Sequence, residues 1–202
     1  RFNVGAIRRM CKDRDGVLWV ANFGNHIARL DEKSPNPDIV PLRTLVQDTF
    51  PLNDRAEAFL DWNERYFLFG TLDGLVCLDR ASQRFEVCPL VFPDIVRPAK
   101  VESLARSNNG DILCIVNGKP FRVVWTDKAA QAKPIGMPHD VVQAHHIVED
   151  ILGKIWITTE NGLVQHDVQT GNSLFYDSHN YLNDNLLLLR PTVAPTQDQE
   201  GN

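Results

Sequence analysis

An all-β fold, a fragment of a β-propeller with about four four-stranded antiparallel blades, is predicted by three observations on this 202-residue chain. First, a motif of one polar turn and one apolar strand occurs four times, with Trp19, Leu68, Leu113 and Trp156 at its anchor position. Second, these anchors are 49, 45 and 43 residues apart, which is the repeat length of a propeller blade. Third, helical periodicity is absent, and short apolar runs alternate with Gly, Asn and Asp.

The first copy of the motif runs from Asp13 through Gly16 to Trp19. Its glycine is expected to adopt positive φ in the turn between the first two strands of the blade. The β-prone runs around it predict strands at about 6–12, 17–22, 26–32 and 39–45. Prolines between the last two runs cannot donate to a ladder, so that segment is expected to be a loop.

The second and third copies have diverged from the first. The second keeps Gly74 and Leu75 but has lost the turn glycine, and it predicts strands at about 56–60, 66–71, 74–79 and 84–88. The third keeps Gly110 before Leu113, and it predicts strands at about 101–106, 111–116, 120–125 and 132–135.

The fourth copy is the most complete. Asp150 and Gly153 form the polar turn, and the residues around Trp156 are β-branched, which favours a packed strand. Asn161 and Gly162 predict a type I′ hairpin, whose two central residues need positive φ. Strands are expected at about 145–149, 155–159, 162–167 and 173–176.

Together these copies predict one partial propeller domain over 1–202. Its blades are expected at about 6–46, 56–90, 101–136 and 145–177. A further turn, at Gly201, predicts the start of another blade at 190–202.

Composition excludes some classes of function. The formal net charge is −5, and no basic run is interleaved with aromatic residues, which argues against nucleic acid as a partner. The run Leu186 to Leu189 has only four apolar residues, far fewer than a membrane-spanning helix requires. The sequence shows no signal peptide.

The repeat resembles the two-component regulator propeller repeat. The fourth copy carries most of the resemblance, through Ile147, Asp150, Gly153, Trp156, Thr159, Gly162, Leu163 and Asp167. The first copy matches it in the turn and the Trp strand, whereas the third has neither the Trp nor the Gly-Leu pair. The resemblance covers essentially the whole chain.

The resemblance implies a function. In that family the propeller is the extracytoplasmic sensor of membrane-bound signalling proteins, usually hybrid histidine kinases and sometimes diguanylate cyclases. It implies a non-catalytic, ligand-sensing part of a bacterial receptor on the periplasmic or extracellular face of a membrane. A small-molecule ligand such as an oligosaccharide is expected, and no cofactor. The implied partners are the remaining blades and downstream domains of the same polypeptide, with a homodimer in the full-length receptor.

Two groups of residues follow from this interpretation. One group is expected to build the scaffold: Asp13, Gly16, Trp19, Gly74, Gly110, Asp150, Gly153, Trp156 and Gly162. The other is expected to bind ligand, because cations and planar amides suit sugar hydroxyls or uronate carboxylates: Arg55, Lys100, His146 and Asn185.

Two other classes of function stay open. A propeller enzyme resembling the streptogramin lyases would need a positioned base, for which His146 is the best candidate. A protein-interaction scaffold is the third class. More flanking blades and a membrane span would favour the sensor, whereas about three flanking blades would favour the lyase.

Metal sites and a disulfide are suggested less strongly. Asp13 begins a segment like a calcium loop, but Gly24 stands where the bidentate Glu should be. His145 and His146 are adjacent on a strand and should point to opposite faces, so neither they nor His139 and Asp140 predict zinc.

The four cysteines leave one question open. Cys11 and Cys114 are expected to be buried small hydrophobes. Cys77 is expected to pair with Glu86, which offsets it by two residues from Cys88 and leaves a disulfide between the two cysteines undecided.

Overall fold

The structure is a computed structural model, and it describes residues 7–22, 26–31, 38–41, 55–88, 90–96, 98–126, 129–139 and 141–177. Within these ranges every regular element is a β-strand. The same ranges contain no helix that is long and apolar enough to cross a membrane. The further blade predicted at 190–202 lies outside the described residues.

The sixteen described strands form four sheets, and in each sheet the strands follow one another in chain order. Blade one contains β1 (Ile7–Lys12), β2 (Leu18–Asn22), β3 (His26–Leu30) and β4 (Asp38–Pro41), and blade two contains β5 (Ala56–Asp61), β6 (Tyr66–Thr71), β7 (Gly74–Asp79) and β8 (Arg84–Val87). Blade three contains β9 (Val101–Arg106), β10 (Ile112–Val116), β11 (Lys119–Thr126) and β12 (Ala129–Pro134), and blade four contains β13 (Ala144–Glu149), β14 (Lys154–Thr159), β15 (Leu163–Asp167) and β16 (Ser173–Tyr176).

Four consecutive antiparallel strands per sheet confirm the predicted fold class, a β-propeller fragment. All four anchors lie in the second strand of their blade, because each follows a turn and belongs to a β-branched or aromatic run. The predicted pairing of Cys77 with Glu86 is also present in the β7–β8 register.

The chain divides into two compact units. The first comprises Arg1–Leu90 with Val96–Val101, and the second comprises Val91–Ile95 with Glu102–Asn202. The first unit therefore holds blades one and two, and the second holds blades three and four apart from Val101.

In the first unit, the two blades bury a shared core. Trp19 lies between them, stacked on Phe67 with 5.3 Å between ring centroids and edge-on to Phe69 at the same distance. The core consists of Val17, Trp19, Ala21 and Ile27 from blade one and Ala56, Phe67, Phe69, Val76 and Leu78 from blade two. The indole therefore fills the space between the two blades with a large aromatic surface.

The second unit has a similar core made of aliphatic residues. Leu113 and Ile115 of β10 pack against blade four, which contributes Ala144, Ile147, Ile155, Ile157 and Val164 to this core. A leucine at the anchor is therefore compatible with the same packing of one blade on the next.

A carboxylate links the two blades within each unit. Asp61 of β5 accepts the backbone N–H of Arg14, in the turn of blade one, at 2.6 Å. Glu149 of β13 accepts the backbone N–H of Asn108, in the turn of blade three, at 3.0 Å. Both acids stand seven residues before their anchor. The repeat thus places one interblade hydrogen bond at the same position in each unit.

The predicted type I′ hairpin at Asn161 and Gly162 is wrong, since neither residue has positive φ. Gly162 is required for another reason: a Cβ there would lie 2.3 Å from the backbone oxygen of Tyr176. Consecutive positive φ values occur instead at Asn117 (47°) and Gly118 (73°), between β10 and β11 of the most diverged blade.

Candidate functional site

The aspartates that open the turns before Trp19 and Trp156 form hydrogen bonds within the scaffold. Asp13 Oδ1 accepts the backbone N–H groups of Asp15 at 3.0 Å and Val17 at 2.9 Å, while Oδ2 accepts the indole N–H of Trp19 at 2.8 Å. Gly16 completes the turn with φ of +85°. Because both carboxylate oxygens of Asp13 accept hydrogen bonds within the turn, this side chain stabilises the hairpin.

Blade four repeats this geometry. Asp150 Oδ1 accepts the N–H groups of Leu152 at 2.9 Å and Lys154 at 2.8 Å, and Oδ2 accepts the indole N–H of Trp156 at 2.8 Å. Gly153 has φ of +77°. The two Trp anchors therefore make the same hydrogen bond, six residues from an aspartate.

The anchors that are leucines lack this aspartate. In blade three, Ser107 stands six residues before Leu113, and its hydroxyl donates to the backbone oxygen of Asp111 at 3.1 Å. Gly110 keeps the turn with φ of +90°. A leucine anchor has no indole N–H that needs an acceptor, and in blade three a serine closes the turn in place of the aspartate. The acid in the motif is thus tied to the tryptophan.

A feature that the sequence interpretation missed is a bulge near the start of the inner strands β1, β5 and β13. The ladder skips one residue there, between Ile7 and Arg9, between Ala56 and Ala58, and between Ala144 and His146. The skipped residues stand 11 positions before their anchors, a place we call the bulge position: Arg8, Glu57 and His145, with Glu102 at the same spacing in blade three. Bulges of this kind often re-aim a side chain near a functional site.

In the first unit, the bulge position forms a charged cluster. Glu57 is only 2% exposed, and its carboxylate oxygens lie 2.5 Å from the Arg8 guanidinium and 2.6 Å from the Arg55 guanidinium. The two arginine side chains are 20% and 29% exposed. The acid is thus buried beneath two partly exposed cations, and the cluster carries a formal charge of +1.

Arg55 and Lys100, two of the predicted ligand residues, occupy equivalent places. Each stands 13 residues before its anchor and immediately before an inner strand, and Gln143 does so in blade four. We call this place the entry position. Lys100 is half-buried.

The backbone at the entry position is fixed by a neighbouring hairpin. Ala99 donates its N–H to Asp73 at 3.2 Å and accepts the N–H of Gly74 at 2.8 Å, so the segment before Lys100 is held on the β6–β7 loop. Gly74 itself has φ of +107°. In the second unit, Ala144 donates to the backbone oxygen of Gly118 at 2.9 Å. Side chains at these positions therefore project from a fixed backbone.

The other predicted ligand residues are not part of this arrangement. His146 lies in the second unit, pairs with Thr158 and is buried. The expectation that His145 and His146 simply alternate is wrong, because His145 occupies the bulge. Asn185 lies outside the described residues. Among the residues that the structure describes, no group of three or more His, Cys, Asp or Glu could hold a metal ion.

One histidine makes a contact that could be mistaken for a catalytic pair. His166 Nδ1 lies 2.8 Å from the hydroxyl of Ser173, and burial lowers the pKa of this imidazole. The two residues are direct partners in the β15–β16 ladder, so their proximity follows from the register. The contact therefore fits a cross-strand pair.

Comparisons with known proteins agree with the fold. The sequence profile of the family described as "Two component regulator propeller" matches residues 2–24, which contain the first turn and Trp19. "Histidine kinase P4" of Formosa agariphila is 23% identical over 188 residues, which cover 86% of this chain and 13% of that protein.

Solved structures agree as well. Two crystal structures of the extracellular domain of BT4673 from B. thetaiotaomicron, described once as a one component and once as a hybrid two component system, have TM-scores of 0.75 and 0.74 at 21% and 20% identity. Both alignments cover 98% of this chain and 25% of that chain. Virginiamycin B lyase from Staphylococcus aureus has a TM-score of 0.69 at 12% identity, covering 98% of this chain and 62% of the lyase.

The fold and its four repeated turns define the class of protein: a β-propeller fragment. Residues 2–24 match the two-component regulator propeller model, and the similar kinase and extracellular domains agree with it, so the resemblance stated from the sequence is confirmed. It spans about a quarter of the extracellular domain and about an eighth of the kinase that it matches.

Proposed function

We propose that this chain is part of the sensing region of a membrane-anchored signal-transduction receptor of the hybrid histidine kinase type. One observation carries the proposal: the similarity to the extracellular domain of BT4673 extends over 98% of the chain. The similarity to a histidine kinase supports it. In this proposal the chain acts outside the cytoplasm, is not itself catalytic, and works with further blades and an output domain of the same polypeptide, as a homodimer.

The ligand that we propose is a small carbohydrate bearing a carboxylate. The support comes from the cluster of Arg8, Arg55 and Glu57, where two partly exposed guanidiniums lie beside one buried acid. A planar guanidinium offers five N–H donors, so an arginine that contacts one carboxylate can still donate to a second one or to hydroxyls. Within the first unit, Arg8 at the bulge position and Arg55 at the entry position would supply such groups to one ligand.

The proposal can be tested on the complete extracellular region of the receptor. Its melting temperature would be measured with pairs of oligosaccharides of equal length, one neutral and one containing uronic acid. A ligand at about 100 times its Kd stabilises the folded state by about 2.7 kcal/mol, which a melting curve resolves. We expect the uronate member to give the larger shift.

Two variants locate the effect. Arg55→Gln should reduce the uronate shift, because it removes one guanidinium while Arg8 still pairs with Glu57. Arg84→Gln, at an exposed position of β8, serves as the matched control and should leave the shift unchanged. Shifts of equal size in both variants would refute the site but not the sensor, whereas the absence of any stabilising ligand would count against the sensor.

A second candidate, a lyase, is favoured by the similarity to virginiamycin B lyase over 98% of the chain. Such an enzyme needs an accessible base, and the buried position of His146 argues against this residue. His145, at the bulge of β13, is the better placed alternative. Opening of a streptogramin B ring by the purified protein, lost in His145→Ala, would support the lyase over the sensor.

A further inference from the structure

Two cysteines of blade two come close together at the outer edge of that blade's sheet. In the β7–β8 ladder, Val76 pairs with Val87 and Cys77 pairs with Glu86. The N–H of Cys88 donates to the backbone oxygen of Leu75 at 2.9 Å, so the ladder continues one residue beyond Val87. Cys77 and Cys88 are therefore diagonal neighbours on the same face of the sheet.

Diagonal neighbours in a regular ladder are usually about 7–8 Å apart at Cα, which is long for a disulfide. Cys88 stands one residue beyond the end of β8, and its side chain nevertheless reaches that of Cys77. Its thiol lies 2.9 Å from the sulfur of Cys77. A further approach of about 0.9 Å would bring the two sulfurs to bonding distance.

We propose that Cys77 and Cys88 form a disulfide that fastens β8, the outer strand of blade two, to β7 when the protein folds in an oxidising compartment. In the reaction, the thiolate of one cysteine attacks a small-molecule or protein disulfide and releases one thiol from it. The second cysteine then attacks the mixed disulfide and releases the other thiol. Both cysteines lose their protons, and the two electrons they give up reduce the external disulfide to two thiols.

The surroundings of the pair indicate when the bond would form. Both side chains are buried in the folded blade, and burial raises the pKa of the Cys88 thiol well above its ordinary value. A buried thiol reacts slowly because little thiolate is present. The bond should therefore form during folding, and once formed it should resist reductants until the blade opens.

The remaining cysteines provide internal controls. Cys11 has its thiol directed at the backbone oxygen of Lys12, 3.8 Å away, and burial raises its pKa to about 11. Cys114 is fully buried in the middle of β10, in the second unit. Both should be recovered as free thiols from protein in which Cys77 and Cys88 are joined.

Peptide mapping of the complete protein provides the test. Arg80 and Arg84 lie between the two cysteines, so trypsin places Cys77 in the peptide 66–80 and Cys88 in the peptide 85–100. Protein refolded in a mixture of oxidised and reduced glutathione, then alkylated in denaturant and digested without reductant, should yield these two peptides as one linked species. Reduction should separate them.

A second measurement covers the case in which variants fold poorly. The wild-type protein should melt several degrees lower after reduction in denaturant and refolding with reductant, a change typical of losing one native disulfide. A variant that carries both Cys77→Ala and Cys88→Ala should show no dependence on reductant, whereas Cys11→Ser should behave like the wild type.

Recovery of Cys77 and Cys88 as separately alkylated peptides after oxidative refolding would overturn the proposal, as would a link from either cysteine to Cys11 or Cys114. The refolding experiment does not depend on where the protein acts in the cell. Its failure is therefore distinguishable from a failure of the proposed sensor function.

Discussion

Trp156 donates its indole N–H to the carboxylate of Asp150 at 2.8 Å, and Trp19 and Asp13 repeat this bond at the same distance. The aspartate also accepts two backbone N–H groups of its turn in each case. One side chain thus fixes both the turn and the orientation of the indole ring. The spacing of six residues between the acid and the tryptophan is the chemical core of the repeat.

This dependence predicts a coupling between Asp13 and Trp19. In Asp13→Asn, one face of the amide can still accept the turn N–H groups, but the other presents NH₂ to the indole N–H. We expect a loss of about 1–3 kcal/mol in the free energy of unfolding, because a buried donor lacks its acceptor. In a Trp19→Phe background there is no indole N–H, and the same substitution should cost much less.

A double-mutant cycle measures this coupling from denaturant unfolding curves of the four proteins. Glu64→Gln, at an exposed turn position of the same unit, is the charge-matched control and should change stability little. Equal costs of Asp13→Asn in both backgrounds would mean that the indole bond contributes nothing to folding.

A second prediction concerns Gly162. The sequence Asn161-Gly162 suggested a type I′ turn, but the glycine is required by the close approach of β16. A methyl group at this position would lie 2.3 Å from the Tyr176 oxygen and 2.8 Å from a ring carbon of Phe175. Because the first of these is backbone, β16 would have to move. Gly162→Ala should therefore destabilise the protein by about 1–3 kcal/mol, as overpacking does.

Gly136→Ala is the natural control, since no atom lies within 4 Å of a Cβ built there and its φ is not in the positive region. The melting temperature of each variant decides the matter. If Gly162→Ala and Gly136→Ala both melted at the temperature of the wild type, the close approach of β16 would not constrain position 162.

The part of the fold that was predictable is the part encoded in local chemistry. The strands of Trp19 and Trp156 were predictable because each tryptophan follows a polar turn and belongs to a β-prone run. The pairing of Cys77 with Glu86 follows from the length of one short turn. Asn161 and Gly162 show the limit, since the reason for the glycine is a backbone oxygen 14 residues further along the chain.

The candidate site was predicted only in part, because a bulge leaves no trace in local propensity. Arg55 and Lys100 were recognised as cations near inner strands. Arg8 and Glu57 were not recognised as site residues, since the extra residue at a bulge interrupts the alternation of the strand without a sequence signal of its own. Superposing the copies on their anchors would have revealed them. All four copies carry a charged or titratable side chain 11 residues before the anchor.

A third prediction concerns the link between blades three and four. Glu149 accepts the Asn108 N–H at 3.0 Å and lies 3.6 Å from the Arg122 guanidinium. Glu149→Ala removes the acceptor and should cost about 1–3 kcal/mol, because a part-buried hydrogen bond to a charged group is lost. Glu149→Gln keeps an acceptor oxygen and should cost distinctly less.

The comparison is made by chemical unfolding, with Glu160→Ala as an exposed control in the same unit. If the Ala and Gln variants lost equal stability, charge would be the essential property of Glu149, and the hydrogen bond between blades would be secondary.

The fourth prediction concerns pH. Asp167 forms an ion pair with Lys154, its direct partner across β14 and β15, and also accepts the N–H groups of Thr170 and Gln169. The Lys154 bond, followed by these two, lowers the pKa of Asp167 from 3.8 to about 2. A carboxyl whose pKa is lower in the folded state stabilises that state when ionised. Its contribution is complete above the unfolded value and is lost as the pH falls through the folded one.

The stability difference between the wild type and Asp167→Asn should therefore be constant near neutral pH, shrink below about pH 4 and be lost as the pH falls through about 2. Asp94→Asn is the control: Asp94 is exposed, its φ of 58° is one that Asn tolerates, and the substitution removes the same charge. Because the Asp167 side chain is accessible to solvent, added salt should also reduce the difference. A difference that stayed constant down to pH 2 would show that the ion pair with Lys154 is not what Asp167 contributes.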